Sequence, residues 1–197
     1  MLLLHYLYIF LIEFYKNYLE IKDSHPDFKF APATLISRDS ADPYKGFVIN
    51  KGSTDGIKAY DPVITDAGLV GYISEVGLTT SKVTTVLSPK FKAGGRDSRT
   101  ADEGILSGRA DFAKDNKCYF YNLQRDCSLS IGDSIITAGG GVFPKGLVIG
   151  TVGDIKQQIK GSSIYAVVDT AVDFDDIRNV MVITYYTGQG LDDSTGE

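Results

Sequence analysis

A chain of 197 residues in which 43% of side chains are apolar can fill one or two small cores, which excludes a disordered polypeptide. Its 25 acidic and 20 basic residues leave a net charge of −5. The lysines and arginines are scattered singly, so no basic stripe is offered to phosphates and nucleic acid is excluded as a partner class.

Residues 1–23 predict a helix and the end of a coiled coil. Leu4, Leu7, Leu11, Phe14, Tyr18 and Ile21 recur at alternating spacings of three and four, the seam along which two helices pair. These six are the candidate residues for self-association, as a dimer or filament. A helix packed on its own body, or a start created by truncation, accounts for the same spacing. The apolar run Met1 to Ile12 would reach only about 18 Å as a helix, short of a hydrocarbon core of roughly 30 Å. Neither a basic leader nor a small-residue cleavage site frames it as a signal peptide.

Pro26 ends the helix, because it lacks the amide the helical ladder needs and pushes its predecessor towards extended backbone. Residues 24–43 read as a linker and first strand, containing Ala33-Thr34-Leu35-Ile36-Ser37. Thereafter β-branched runs alternate with Gly, Asp, Asn and Pro, the pattern of short strands and tight turns. Two blocks are expected, one barrel over 44–115 and a second over 116–186, with strands open to exchange between them. Residues 187–197, rich in Gly, Asp and Ser, read as a disordered tail. The duplication rests on a repeated phrase: Asp61-Pro62-Val63-Ile64-Thr65 returns 72 residues later as Asp133-Ser134-Ile135-Ile136-Thr137. Each copy is followed by a Gly-Leu-Val segment, at Gly68 and at Gly146. A period of this length suits a small closed β unit, so the predicted fold is all-β: two similar six-stranded barrels of chymotrypsin-like topology behind a short N-terminal helix.

No constellation for catalysis, metal or cofactor emerges. Gly132-Asp133-Ser134 echoes the surroundings of a protease nucleophile, yet the chain's two histidines, His5 and His25, both precede the first barrel. Asp133-Ser134 also aligns with Asp61-Pro62, which points to a repeated turn. Asp173, Asp175 and Asp176 lack the spacing of a calcium loop, and Asp169-Thr170-Ala171 is a single copy of what an aspartic dyad needs twice. Cys118 and Cys127 lie close enough in sequence to face each other across a hairpin, with their pairing left open. The turn Gly139-Gly140-Gly141, followed by Val142, Phe143, Pro144, Lys145 and Gly146, is read as a contact loop with Phe143 exposed. Burial of Phe143 in a barrel mouth is the alternative.

Several of these segments together carry a family resemblance. Ile49-Asn50-Lys51-Gly52-Ser53-Thr54-Asp55-Gly56, Gly68-Leu69-Val70-Gly71-Tyr72-Ile73, Glu103-Gly104-Ile105-Leu106-Ser107-Gly108 and Phe143-Pro144-Lys145-Gly146-Leu147-Val148-Ile149-Gly150-Thr151-Val152 resemble, in order, the rod shape-determining MreC family. The resemblance covers about residues 11 to 185. It implies a membrane-anchored protein with an extracytoplasmic pair of barrels, a non-catalytic scaffold without cofactors. Its implied partners are MreD and the MreB filament on one side and the synthases RodA and penicillin-binding protein 2 on the other. This chain departs from the pattern at its start, where no adequate membrane span is legible. Two other readings remain: an inactive or cryptic chymotrypsin-like hydrolase, and a carbohydrate-binding module stacking sugars on Tyr119, Tyr121, Tyr185 and Tyr186.

Overall fold

The computed structural model describes residues 26–124, 127–157 and 164–189. The candidate seam residues Leu4, Leu7, Leu11, Phe14, Tyr18 and Ile21, and most of the tail, lie outside them. Thr187 to Gln189, assigned to the tail by composition, form a turn held by the Thr187 amide donating to the Asp27 carboxylate at 3.2 Å.

In chain order the strands are β1 (Lys29–Arg38), β2 (Phe47–Ile49), β3 (Pro62–Ile64), β4 (Leu69–Val76), β5 (Ser81–Thr85), β6 (Lys92–Asp97) and β7 (Glu103–Ser107). A one-turn helix α1 (Ala110–Ala113) precedes β8 (Lys117–Tyr121), β9 (Ser134–Thr137), β10 (Val148–Gln157), β11 (Ile164–Thr170) and β12 (Asn179–Tyr185). All pairings are antiparallel and close into two six-stranded barrels, ordered β1-β12-β3-β4-β5-β2 and β10-β11-β8-β7-β6-β9. Alternation drives the closure: on β8 Cys118 and Phe120 point into the core while Tyr119 and Tyr121 face outwards. Val63, Leu69, Ile73 and Val83 fill barrel 1, and Leu106, Phe120, Ile135 and Ile149 fill barrel 2, all with no exposed surface. Each such side chain contributes roughly 1.5–3 kcal/mol of burial.

The barrels do not divide where the sequence predicts. Barrel 2 begins at β6, not at residue 116, and β12 leaves its expected barrel to close barrel 1 between β1 and β3. The displaced boundary has a physical cause in β6. Its sequence, Lys-Ala-Gly-Gly-Arg-Asp, carries no apolar run, because the space inside it is already taken: a Cβ on Gly95 would come within 2.6 Å of the Leu106 side chain and 2.9 Å of Phe120.

The duplication recurs in the backbone hydrogen bonds, with the acceptor one place further along the Gly-Leu-Val segment in barrel 2. Ile73 N donates to Asp61 O at 3.0 Å and Val152 N to Asp133 O at 2.9 Å, while Thr65 N reaches Gly68 O and Thr137 N reaches Leu147 O, each at 2.9 Å. Gly71 and Gly150 occupy matching places beside a bulge. A Cβ on either would meet a backbone oxygen of the neighbouring strand, Thr84 O or Asp169 O, at 2.0 Å. Glycine is therefore required at both positions by close backbone approach.

Candidate interaction surface

Between the barrels runs a seam made from three places in the sequence. Phe91, in the segment joining them, sits 5.3 Å from Phe143 of barrel 2 and 6.4 Å from Tyr72 on β4 of barrel 1. Phe143 meets Tyr72 edge-on at 6.5 Å. Backbone closes in as well, since a Cβ on Gly68 would lie 2.4 Å from Val148 O. A polar clasp spans the other side. The Lys45 ammonium donates to Asn116 Oδ1 at 2.8 Å and to Asp175 Oδ2 at 2.7 Å, and Asn116 Nδ2 reaches Asp173 at 3.3 Å. Lys45 holds the Asp175 carboxyl below the usual carboxylate range. Asp173 and Asp175 of the acidic run thus belong to this clasp, while Asp176 pairs locally with Arg178 at 3.7 Å.

The contact loop looks inward. Gly139, Gly140, Gly141 and Gly146 all take positive φ, at 91°, 82°, 63° and 92°. Buried Thr137 pins the loop by donating to Pro144 O at 2.6 Å and accepting from Leu147 N at 2.9 Å. The reversal turns Phe143 into the seam, where it is 6% exposed, and buries Pro144; Gly140, Gly141 and Gly146 remain at the surface. The expectation of an exposed Phe143 is corrected. Its ring joins the aromatic packing between the barrels instead of facing solvent.

The remaining sequence candidates resolve into structure. Gly132-Asp133-Ser134 is a turn entering β9, in which the Asp133 carboxylate accepts the Ser130 amide at 2.7 Å. Arg99 donates to both Asp133 oxygens, at 2.8 and 2.7 Å, and holds the carboxyl well below the usual range. Asp61 takes the equivalent place in barrel 1, accepting from Lys58 N at 2.8 Å, but without an arginine; burial raises its pKa. Asp169 pairs with Lys117 at 2.7 Å, and Thr170 donates to the Asn116 and Val172 carbonyls. Among the described residues no group of three or more His, Cys, Asp or Glu is arranged to hold a metal. Cys118 is a free thiol sealed in barrel 2, where burial pushes its pKa up to about 12, and Cys127 is free and half-buried.

Of the proposed sugar-stacking tyrosines, Tyr119 and Tyr121 lie against each other at 4.6 Å and 18°, with Tyr165 at 4.9 Å from Tyr119. Arg109 spans the cluster, 4.2 Å from the Phe112 ring centre and 5.3 Å from that of Tyr119, while bonded to Asp111. Tyr186 is buried and donates to Gly141 O at 2.8 Å. Tyr185 alone of the four is largely open, at 49%.

Sequence reasoning passed over one exposed aromatic position in barrel 1. Tyr60, 61% exposed, stacks on Tyr72 at 5.7 Å and 16°. Tyr72 in turn walls a groove of about 800 Å³ across the outer face of β2, β5 and β4, bordered by Tyr44 and Lys90. The signal for Tyr60 was present in the repeat, which sets it opposite Gly132.

Two closed barrels are thus joined by an aromatic seam and a polar clasp, with a groove and several aromatic faces open on the described surface. The MreC barrel-core description, rod shape-determining protein MreC, matches residues 35–184. The chain is 30% identical over 188 residues to the cell shape-determining protein MreC of Listeria monocytogenes, covering 90% of this chain and 61% of that relative. It therefore spans about three fifths of that relative's length. The solved MreC of Listeria monocytogenes superposes with a TM-score of 0.72 at 26% identity, covering 91% of this chain and 90% of that one. MreC in a solved complex with penicillin-binding protein PBP2 from Helicobacter pylori has a TM-score of 0.64 at 13% identity, over 80% of this chain and 98% of that one, and shares the fold. The chain belongs to the MreC family of cell shape-determining proteins.

Proposed function

We propose that this chain is the barrel core of a non-catalytic scaffold in bacterial cell-wall elongation, acting by binding on the extracytoplasmic face of the membrane. The observation that carries the reading is the family match over residues 35–184, spanning both barrels. Support for penicillin-binding protein 2 as a partner comes from the Helicobacter pylori relative solved in complex with it. MreD, MreB and RodA complete the set by family resemblance. Among the described residues no helix is long and apolar enough to cross a membrane, so attachment is assigned to a segment outside them. Self-association is assigned to the seam Leu4, Leu7, Leu11, Phe14, Tyr18 and Ile21, on its heptad spacing. The chymotrypsin-like barrel topology is supported by the strand order of barrel 2, in which six successive strands close with the fourth beside the first.

Replacing the chromosomal copy with one lacking residues 35–184 is expected to turn rods into spheres. Unchanged rods would remove the scaffold reading. In vitro, the whole chain is expected to bind the extracytoplasmic domain of its own penicillin-binding protein 2 in a pull-down. Sedimentation of a Leu11→Asp, Phe14→Asp chain is expected to show a smaller species; an unchanged oligomer rules the seam out.

A further inference from the structure

One segment of barrel 2 has no counterpart in barrel 1. The Thr65 amide reaches Gly68 O across a tight turn, whereas its twin, the Thr137 amide, reaches Leu147 O across the added loop 138–146. The contacts of that loop are divided between the barrels. Thr137 holds it to barrel 2 through Pro144 O and Leu147 N. Barrel 1 holds it through Tyr72, edge-on to the Phe143 ring at 6.5 Å, and through the Tyr186 hydroxyl, which donates to Gly141 O at 2.8 Å.

Tyr186 opens the turn that follows β12, and the same turn grips the segment by which the chain enters barrel 1. The Tyr186 ring packs on Phe28 at 5.9 Å, and the next amide, Thr187 N, donates to the Asp27 carboxylate at 3.2 Å. Gln189 N closes the turn on Tyr186 O at 3.2 Å, while its side-chain amide reaches Asp61 Oδ1 at 3.5 Å. One buried side chain therefore carries two contacts, its ring on the entering segment and its hydroxyl on the other barrel. A phenol ring is rigid, so the hydroxyl leaves Gly141 if the ring follows Phe28 to another position. The loop is built to let go. Gly139, Gly140 and Gly141 are successive left-handed glycines, and a Cβ on Gly141 would meet nothing within 4 Å, so this stretch can change course at little steric cost.

We infer that the turn 186–189 is a latch: Tyr186 couples the entry of the chain into barrel 1 to the loop 139–146 of barrel 2, and its release frees the loop while both barrels stay folded. Two states follow, latched and released. A displacement of Asp27 and Phe28 removes contacts from the latched state alone and so favours the released one, which is the differential that coupling between two places requires. The latch belongs to the mechanics of this chain and holds whichever partner the scaffold binds.

The test uses the whole chain with Tyr186→Phe, Asp27→Ala and the double variant. Hydrogen exchange of the Gly146 and Leu147 amides, which donate to Thr137, reads the loop; that of Ile73 and Val152, which donate to Asp61 and Asp133, reads the barrels. Tyr186→Phe removes a hydroxyl and keeps the ring. It should speed exchange at Gly146 and Leu147 by about fivefold, the factor that one ordinary hydrogen bond carries, and leave Ile73 and Val152 unchanged. Asp27→Ala removes an acceptor in barrel 1 yet should speed the same two amides of barrel 2. On the Tyr186→Phe background it should add nothing, because the route is already cut. Trypsin cleavage after exposed Lys145 should rise in the same variants, since cleavage follows the open population. Unchanged loop exchange in Tyr186→Phe would overturn the latch. So would equal acceleration at all four amides, which would make Tyr186 a core residue, or additive effects in the double variant, which would mean that Asp27 does not act through Tyr186.

Discussion

Barrel 2 closes with six strands in unbroken succession, whereas barrel 1 has five and receives its sixth from the far end of the chain. The Thr34 hydroxyl on β1 donates to Asn179 on β12 across 145 residues of sequence. The same unit has thus been closed once by neighbours and once by a distant segment. Loop-closure entropy rises slowly with length but must be overcome before the distant contact stabilises anything, so barrel 2 is expected to form first. The barrels also use one turn in two electrostatic states, Asp133 paired with arginine and Asp61 buried without one. Topology was duplicated more faithfully than charge.

The comparison breaks most sharply at β12. A chain ending at Asp176 is expected to lose amide protection throughout residues 29–85 while keeping it over 92–170, read by hydrogen exchange with mass spectrometry. Cooperative loss of both barrels would show that barrel 2 depends on its partner. Next in size are Gly71→Val and Gly150→Val, which force the same clash into each barrel. Both are expected to cost about 3 kcal/mol or more in denaturant titration, at the upper end of overpacking effects. A large difference between them would mean that the equivalent bulges differ in rigidity.

Smaller is Gly132→Ala. No atom lies within 4 Å of the added Cβ, so only the left-handed backbone opposes it, and a loss of about 1–2 kcal/mol is expected. Smallest is the pH response of the paired aspartates. Arg99 lowers the Asp133 pKa, so its stabilisation is full above the unfolded value of about 3.9 and fades as pH falls towards the lower folded value. Burial raises the Asp61 pKa, so its contribution is most favourable below about 3.9 and is lost as pH rises through the higher folded value. Hence Asp133→Asn should lower Tm at pH 7 and converge on wild type in acid. Asp61→Asn should gain on wild type as pH rises from 3 to 7. Parallel Tm curves for the two variants would contradict this assignment.

Much of this fold was legible because alternation and turn chemistry are local. The repeated Asp61 and Asp133 phrases, each followed by a Gly-Leu-Val segment, located equivalent strand pairs, whereas the close backbone approaches at Gly71 and Gly150 are seen only in the structure. β6 was not legible, since a strand whose interior is filled by Leu106 and Phe120 from its neighbours shows no apolar pattern of its own. The destination of β12 was equally hidden: apolar Val180 to Ile183 announce a buried strand without saying which barrel they bury in. Phe143 was misread because the three left-handed glycines fix a reversal, while the direction of the ring depends on Phe91 and Tyr72, distant in sequence. Tyr60 escaped because an exposed tyrosine is ordinary until its backbone angle is known.

The first and last strands of the described body are neighbours, Lys29 opposite Tyr185, and the chain beyond each emerges at one end of barrel 1. Barrel 2 is reached only through that body. A tether on the leading segment would therefore hold one barrel and leave the other projecting like a boom. A sideways load on barrel 2 would fall on the Lys45 clasp, the Phe91–Phe143 contact and the close approach of Gly68 to Val148, places where the two barrels touch.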